Sequence, residues 1–247
     1  MNVVRPFIEV RSVRVGRPAA LGRTAAGVEV LSAIVKAPVA TATVALSMVN
    51  LDGDDQADRG VHGGPDKAVY VYSADHFAGW NHELAASGHD LVVGPGTFGE
   101  NVTVAGVSEG DVGIGDRWSW GDAVLEVCQP RWPCFKLTMR TRVRDIGPRM
   151  RASGRTGWYL RVVTPGTVPT AGPIAVVSRH AAGVTVLDAH RAQADRGRQD
   201  SVLIDRVVAV DALAAEWRDP LRAVGREPLQ PVRGSSGEHP ETVDPAG

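Results

Sequence analysis

A mainly β chain with helical modules attached is the fold class this sequence predicts, and three observations predict it. Short apolar segments recur at close spacing between residues 7 and 177, Gly, Pro and Asp turn signals stand between them, and helix-like Ala-, Leu- and Arg-rich sequence takes over after His180. Short strands separated by turn chemistry argue for a barrel-like core.

Taken in order, residues 7–15 alternate apolar and polar with a period of two (Ile8, Val10, Val13, Val15) and read as a strand. Residues 30–35 form a second strand candidate, ended by Lys36 and Pro38. Residues 68–72 are apolar and β-prone, after the turn signal Gly63-Gly64-Pro65-Asp66. Residues 74–86 are the best early helix, with Phe77, Trp80 and Leu84 on one face and Ser73 placed to cap it. Residues 101–104, 116–120, 123–129, 158–163 and 174–177 complete the strands. Residues 134–152 read as helix with a break at Gly147-Pro148, and residues 185–226 as two or three short helices. Residues 235–247 hold no Lys or Arg and a single large apolar side chain, Val243, which is a disordered composition.

The bulk numbers bound the function. A chain of 247 residues, 43% hydrophobic, suffices for one substantial core plus a small appended module. A net charge of -1 calls for neither nucleic acid nor an anionic membrane, and no apolar run approaches the length of a membrane span. The first residues lack the charged-then-apolar pattern of a signal peptide. Two cysteines, Cys128 and Cys134, are too few and too close for a disulfide framework, so a reducing cytoplasm is the expected setting.

Four features could carry chemistry. In Gln129-Pro130-Arg131-Trp132-Pro133-Cys134-Phe135-Lys136, a cysteine follows a strand and opens a helix beside two cations. Helix dipole and positive charge both favour thiolate, the nucleophile and metal ligand. A buried structural cysteine fits the same pattern, because Cys is among the most buried types. In Val61-His62-Gly63-Gly64-Pro65-Asp66-Lys67, glycines allow backbone N–H groups to approach an anion while His62 and Lys67 offer donors, although the same residues make an ordinary turn. Residues 94–101, Gly-Pro-Gly-Thr-Phe-Gly-Glu-Asn, suit a loop around a polar ligand or simply one leading into a strand. Finally, residues 131–161 carry nine basic residues and one acid, Asp145, a local excess that suggests an anionic ligand or a solvated face. His-Glu-x-x-His, Cys-x-x-Cys, Gly-x-Ser-x-Gly, the Walker loop and Gly-x-Gly-x-x-Gly are all missing, which argues against zinc, serine-hydrolase, NTPase and dinucleotide chemistry.

Together these motifs resemble the MOSC family, named for the C-terminal domain of molybdenum cofactor sulfurase, and within it the YiiM-like, hydroxylaminopurine-resistance branch. The matching blocks are Lys36-Ala37-Pro38-Val39, Gly53-Asp54 with Gln56-Ala57-Asp58, Val61 through Tyr70, Pro95 through Asn101, Ile114-Gly115-Asp116, Gln129-Pro130-Arg131 with Pro133-Cys134-Phe135-Lys136-Leu137, and Gly157-Trp158-Tyr159-Leu160-Arg161-Val162. They stand in one order between about residues 30 and 177, and residues 184–226 resemble the small three-helix module that follows the barrel in this branch.

The resemblance implies a MOSC-type β-barrel plus a C-terminal small three-helix module, with domains at 1–180 and 184–226 and a disordered tail at 228–247. It implies a basic cavity for the molybdenum cofactor (molybdopterin), with Cys134 as catalytic thiolate and molybdenum ligand. Lys36, His62, Lys67, Asn101 and Arg131 map onto polar positions expected to hold the cofactor or substrate. The implied activity is molybdenum-dependent N–O reduction of hydroxylamino bases and amidoximes, with electrons from a separate redox protein. A non-catalytic cofactor or sulfur carrier using Cys134 is the alternative, and a homodimer is left open.

Overall fold

The alternation in residues 8–15 folds as a strand whose two edges are both paired, and that closes a barrel. The computed structural model describes residues 8–57, 63–194 and 200–224. In chain order these form β1 (Ile8–Val15), β2 (Ala19–Arg23), β3 (Glu29–Ser32), β4 (Ala37–Pro38), β5 (Thr43–Leu46), β6 (Val69–Ser73), α1 (Phe77–Ala86), β7 (Val102–Ala105), β8 (Arg117–Trp120), β9 (Ala123–Pro130), α2 (Phe135–Thr141), α3 (Ile146–Ser153), β10 (Trp158–Thr164), β11 (Gly166–Pro169), β12 (Gly172–Ser178), α4 (Val186–Ala194), α5 (Ser201–Val208) and α6 (Ala215–Val224). The sheet runs β12-β8-β9-β10-β6-β7-β1, and β1 returns to β12 with Ile8 opposite Ile174, so seven strands close on themselves. Short β4 extends the far end of β1. Within the barrel β6 and β7 are parallel, and α1 lies in the crossover that a parallel pair requires.

Strand β6 is buried along its whole length. Val69 and Val71 join Val102, Val104, Trp118, Leu125, Trp158 and Leu160 in the main core. Tyr70 and Tyr72 point the other way and lie with Trp80, Leu84, Phe98, Leu137, Ile146 and Met150 beneath α1, α2 and α3. A strand covered on both faces reads as a continuous β-prone run, and that is how Val-Tyr-Val-Tyr reads. Both tyrosine hydroxyls stay satisfied: Tyr70 donates to the Thr156 carbonyl at 2.8 Å, and Tyr72 donates to that of Arg155 and accepts from the Trp80 indole at 2.6 Å.

Three departures from the sequence reading have local causes. Strands β2, β5 and β11 carry little periodicity because they have only four or five residues, and each needs its partner to exist: β2 pairs with β3, which overlaps the expected strand at 30–35, and β5 with distant β11. The expected helix at 74–86 opens as a 3-10 turn, Ala74–His76, whose first N–H groups include one capped by Ser73. The helix expected across 134–152 breaks at Arg142, in left-handed conformation (φ 59°), and not at Gly147-Pro148. Pro148 sits in the first turn of α3, where a missing N–H leaves no intrahelical bond unmade.

Beyond the barrel, α4 begins with reciprocal bonds: Asp188 N–H to Thr185 Oγ1 at 3.0 Å, and Thr185 N–H to Asp188 Oδ2 at 3.1 Å. Backbone bonds from Ile114 to Val184 and from Val186 to Val112 tie this helix to the barrel, and Ala214 N–H donates to the Cys128 carbonyl at 3.0 Å. Apolar residues of all three helices, among them Val186, Ile204, Val207, Trp217 and Leu221, continue the barrel's core. No helix among the described residues is long and apolar enough to cross a membrane. The tail expected at 228–247 lies outside the described residues.

Two substitutions test this backbone in opposite directions. Gly157 has φ +70°, and a Cβ there would stand 2.3 Å from the Val71 carbonyl oxygen. Gly157→Ala should therefore cost roughly 2–4 kcal/mol in urea unfolding, and a loss below about 1 kcal/mol would contradict the β6–β10 packing. Arg142→Gly removes a left-handed strain, with no side-chain bond from Arg142 among the described residues to lose, and should raise stability by about 0.5–1 kcal/mol in the same assay.

Candidate functional site

The ends of β6, β9 and β10 and the loops entering β7 and α2 meet over one cleft of ≈ 630 Å³, its open mouth included. Lys36, Lys67, Asn101, Arg131, Cys134 and Lys136 line it, with Tyr70, Tyr159, Phe98 and Ile34 as apolar wall. The wall closes tightly because Gly99 lets its loop lie against Ile34; a Cβ at Gly99 would stand 2.5 Å from that side chain.

Arg131 leaves the end of β9 and is buried. Its N–H donates to the Gly157 carbonyl at 3.0 Å, and its guanidinium stands 5.2 Å from the centre of the Tyr70 ring. Burial pushes the Tyr159 hydroxyl up to about 12, opposed by the charge of Arg131. Pro133 then turns the chain, and Cys134 takes an extended conformation (φ −113°, ψ 171°) as the residue that caps α2. Cys134 is half-buried and close enough to Arg131 and Tyr159 to act on both electrostatically. Two residues before it, Trp132 meets Trp217 of α6 edge-on at 5.9 Å and His190 of α4 at 5.6 Å.

The lysines do not stand alone. Lys36 is ion-paired with Asp54, and the two side chains are 7% and 3% exposed. Burial lowers the Lys36 pKa, partly offset by Asp54. Asp54 also accepts from the Gly16 N–H at 2.7 Å and from Asn101 Nδ2 at 2.8 Å. Asn101 accepts from the Tyr70 N–H and donates to the Arg14 carbonyl, so its amide ties β6, β1 and Asp54 together. Lys67 ends the 3-10 turn Pro65–Lys67 and pairs with Glu216 of α6 at 2.6 Å. His62 lies outside the described residues.

The basic excess of residues 131–161 largely dissolves in three dimensions. Arg149 pairs with Asp145, Arg155 with Glu83, and Arg161 with Asp66 and Glu126. Arg151 lies over Trp132. From that stretch Arg131 and Lys136 alone line the cleft, so the local count overstated the charge available to a ligand. A second recess, between barrel and helices, is lined by Arg117, Arg179, His180 and Asp211; Arg117 pairs with Glu126, Arg179 with Asp116, and His180 Nε2 lies 3.1 Å from Asp211.

Sequence reasoning missed Asp54, Tyr159, Lys136 and Glu216 as parts of the site. Asp54 and Tyr159 stood inside segments already quoted for the resemblance, and Lys136 was noted beside Cys134, so a signal existed for those three. Glu216 had none, being 149 residues from Lys67.

The two cysteines part company. Cys128 is fully buried, its thiol donating toward the carbonyls of Asp66 (3.1 Å) and Tyr159 (3.4 Å), and burial raises its pKa far above the ordinary thiol value. Cys134 borders the cleft. Chemically, the cleft combines one sulfur with several cations and the carboxylates of Asp54 and Asp55.

Comparison with known proteins agrees with this architecture. The MOSC domain family matches residues 58–175. YflK of Bacillus subtilis is 36% identical over 209 residues, covering 85% of this chain and 90% of YflK. YiiM of Escherichia coli is 40% identical over 144 residues, covering 58% of this chain and 63% of YiiM. A protein of Gibberella moniliformis named as a reductase is 36% identical over 180 residues, covering 72% of this chain but 31% of that longer protein. The crystal structure of YiiM from Geobacillus stearothermophilus superposes with a TM-score of 0.72 at 28% identity, covering 88% of this chain and 99% of its own. The closed barrel, the three helices after it and these similarities place the chain in the MOSC domain family, among the YiiM-like proteins.

Proposed function

We propose that the cleft binds the molybdenum cofactor and that the protein reduces N-hydroxylated compounds such as hydroxylamino bases and amidoximes. The observation that carries this reading is the meeting of Cys134 with Lys36, Lys67, Arg131 and Lys136 in one cleft, from segments scattered over a hundred residues. The donor set fits the group. Lys67, Arg131 and Lys136 suit its phosphate, and Cys134 Sγ offers the soft ligand that molybdenum accepts. A metal that arrives on its own dithiolene needs only that one protein sulfur. His62, adjacent in sequence to the Gly63-Gly64 turn, is retained in the proposal as a further donor. Asn101 acts by positioning, since its amide holds Tyr70, Arg14 and Asp54 in register.

The net reaction is R–NHOH + 2 e⁻ + 2 H⁺ → R–NH₂ + H₂O. The bound cofactor supplies the two-electron redox centre. Arg131 and Lys136 hold negative charge at the cleft, and Tyr70, Tyr159 and Phe98 keep water from its inner wall. Electrons come from a separate redox protein, in the cytoplasm, and the substrate is a small molecule. The similarity to a protein named as a reductase supports redox chemistry over a carrier role.

Two experiments test the assignment of Cys134. In cofactor-free protein, iodoacetamide at neutral pH should modify Cys134 many times faster than Cys128, read by peptide mass spectrometry, with Cys128 labelled only after unfolding. Comparable rates in folded protein would remove the basis for distinguishing them. In protein from a cofactor-competent host, Cys134→Ser should abolish reduction of an N-hydroxylated base while circular dichroism stays unchanged, and Cys128→Ser should keep most activity. Wild-type turnover by cofactor-loaded Cys134→Ser would sink the proposal, as would a wild-type protein that never contains molybdenum.

A further inference from the structure

We infer that the exposed face of α2 and the turn after it form a docking surface for an acidic electron-carrier protein at the lip of the cleft. The inference rests on the reading that the cleft carries out a reduction with electrons supplied from outside. It starts from the cations that the ion pairs of residues 131–161 leave over. Arg149, Arg155 and Arg161 are paired, and Arg131 is buried. Arg140, Arg142 and Arg144 are exposed, and their side chains make no ion pair or hydrogen bond among the described residues. The one acid of the stretch, Asp145, is taken up by Arg149 at 2.7 Å. The hairpin packed on α2, where Gly22 lies against the Met139 methyl, adds no net charge, since its Arg23 stands opposite Glu29. In a chain of net charge -1, this is a local surplus.

Helix α2 aims that surplus at the cleft. Its buried side is Leu137 and Thr141, four residues apart. Lys136 and Arg140 share another face by the same spacing, and Lys136 lines the cleft. The row of cations therefore begins at the cleft and runs outward, with Arg140 about 9 Å along the helix axis from Cys134. Apolar side chains stand at its inner end. Phe135, next to Cys134, is 57% exposed, and Val35, between the cleft residues Ile34 and Lys36, is 52% exposed. Aromatic and aliphatic contacts bordered by arginines are the anatomy of a protein interface, and a small one suits a transient redox encounter. Uncompensated arginines select an acidic partner and speed its approach. A nucleic acid would need cations repeated along a track, and here they stop after one short helix and its turn. A one-electron carrier docks twice per turnover: R–NHOH + 2 reduced carriers + 2 H⁺ → R–NH₂ + H₂O + 2 oxidised carriers.

The probe is a plant-type [2Fe–2S] ferredoxin, an acidic one-electron carrier, titrated calorimetrically into the purified full chain at low and high ionic strength. Arg140→Glu and Arg144→Glu should each weaken binding roughly three- to tenfold. Arg206→Glu on α5, the same change of charge away from α2, should stay within about twofold of wild type. Salt should weaken wild-type binding and shrink these differences. Phe135→Ala should weaken binding and leave its salt dependence as it was. Absence of binding by wild type at low ionic strength, unchanged affinity in Arg140→Glu and Arg144→Glu, or an equal loss in Arg206→Glu overturns the inference. So does a single-stranded oligonucleotide that binds more tightly than ferredoxin and is lost in the same two variants, which would make this a nucleic-acid surface.

Turnover separates this inference from the reading beneath it. Protein from a cofactor-competent host is driven either by reduced ferredoxin or by reduced methyl viologen. Arg140→Glu should lose ferredoxin-driven turnover severalfold and keep dye-driven turnover. If no preparation contains molybdenum or turns over with the dye, the reductase reading fails, and ferredoxin binding decides the docking surface by itself. If dye-driven turnover is present and ferredoxin drives wild type and Arg140→Glu equally, the docking surface fails alone.

Discussion

Because β1 pairs with β7 on one edge and with β12 on the other, the barrel leaves no edge of its sheet open where these strands meet, and the order of strands around the ring is set. That order puts β6, β9 and β10 side by side. Their ends bring Tyr70, Arg131 and Tyr159 to one place, though 89 residues of chain separate the first from the last. The parallel β6–β7 pair adds Asn101 from the loop entering β7, and its amide bonds β6 and Asp54 at once. A cleft built at strand ends has walls as rigid as the barrel and a mouth made of loops, the arrangement expected of a site that must hold a ligand in register.

Charge in the cleft is rationed by which acids reach it. Three arginines of residues 131–161, Arg149, Arg155 and Arg161, pair with Asp145, Glu83, Asp66 and Glu126, and none of those acids lines the cleft. Lys36 is paired with buried Asp54, Lys67 with half-exposed Glu216, and Arg131 is buried beside an aromatic ring. A buried carboxylate bound by three donors is part of the scaffold.

The two thiols show how little separates a structural group from a reactive one. Cys128 and Cys134 are six residues apart, yet Cys128 lies in β9 beneath the Pro65–Lys67 turn and the start of α6, where desolvation holds it protonated. Cys134 is past Pro133, off the strand, with the cleft on one side. The short α2 that it caps has only seven residues, so its dipole is a modest aid, and Arg131 and Lys136 are the larger local charges.

Much of this was legible in the residues themselves. The period-two pattern of residues 7–15, the β-prone run at 68–72 and the Gly, Pro and Asp turns pointed to a β-rich core, because side-chain alternation and backbone freedom are local properties. The helices after His180 followed from composition, while the reciprocal cap of Thr185 and Asp188 is seen only in the structure. Strands β2, β5 and β11 did not show, since a short strand is stable only against its partner. Residue types marked Lys36, Lys67, Arg131 and Cys134 as able to bind an anion or a soft metal. Which cations keep their charge for a ligand was decided by tertiary structure alone. Ion pairing depends on distance through space, and Asp54 and Glu216 come to their lysines from 18 and 149 residues away.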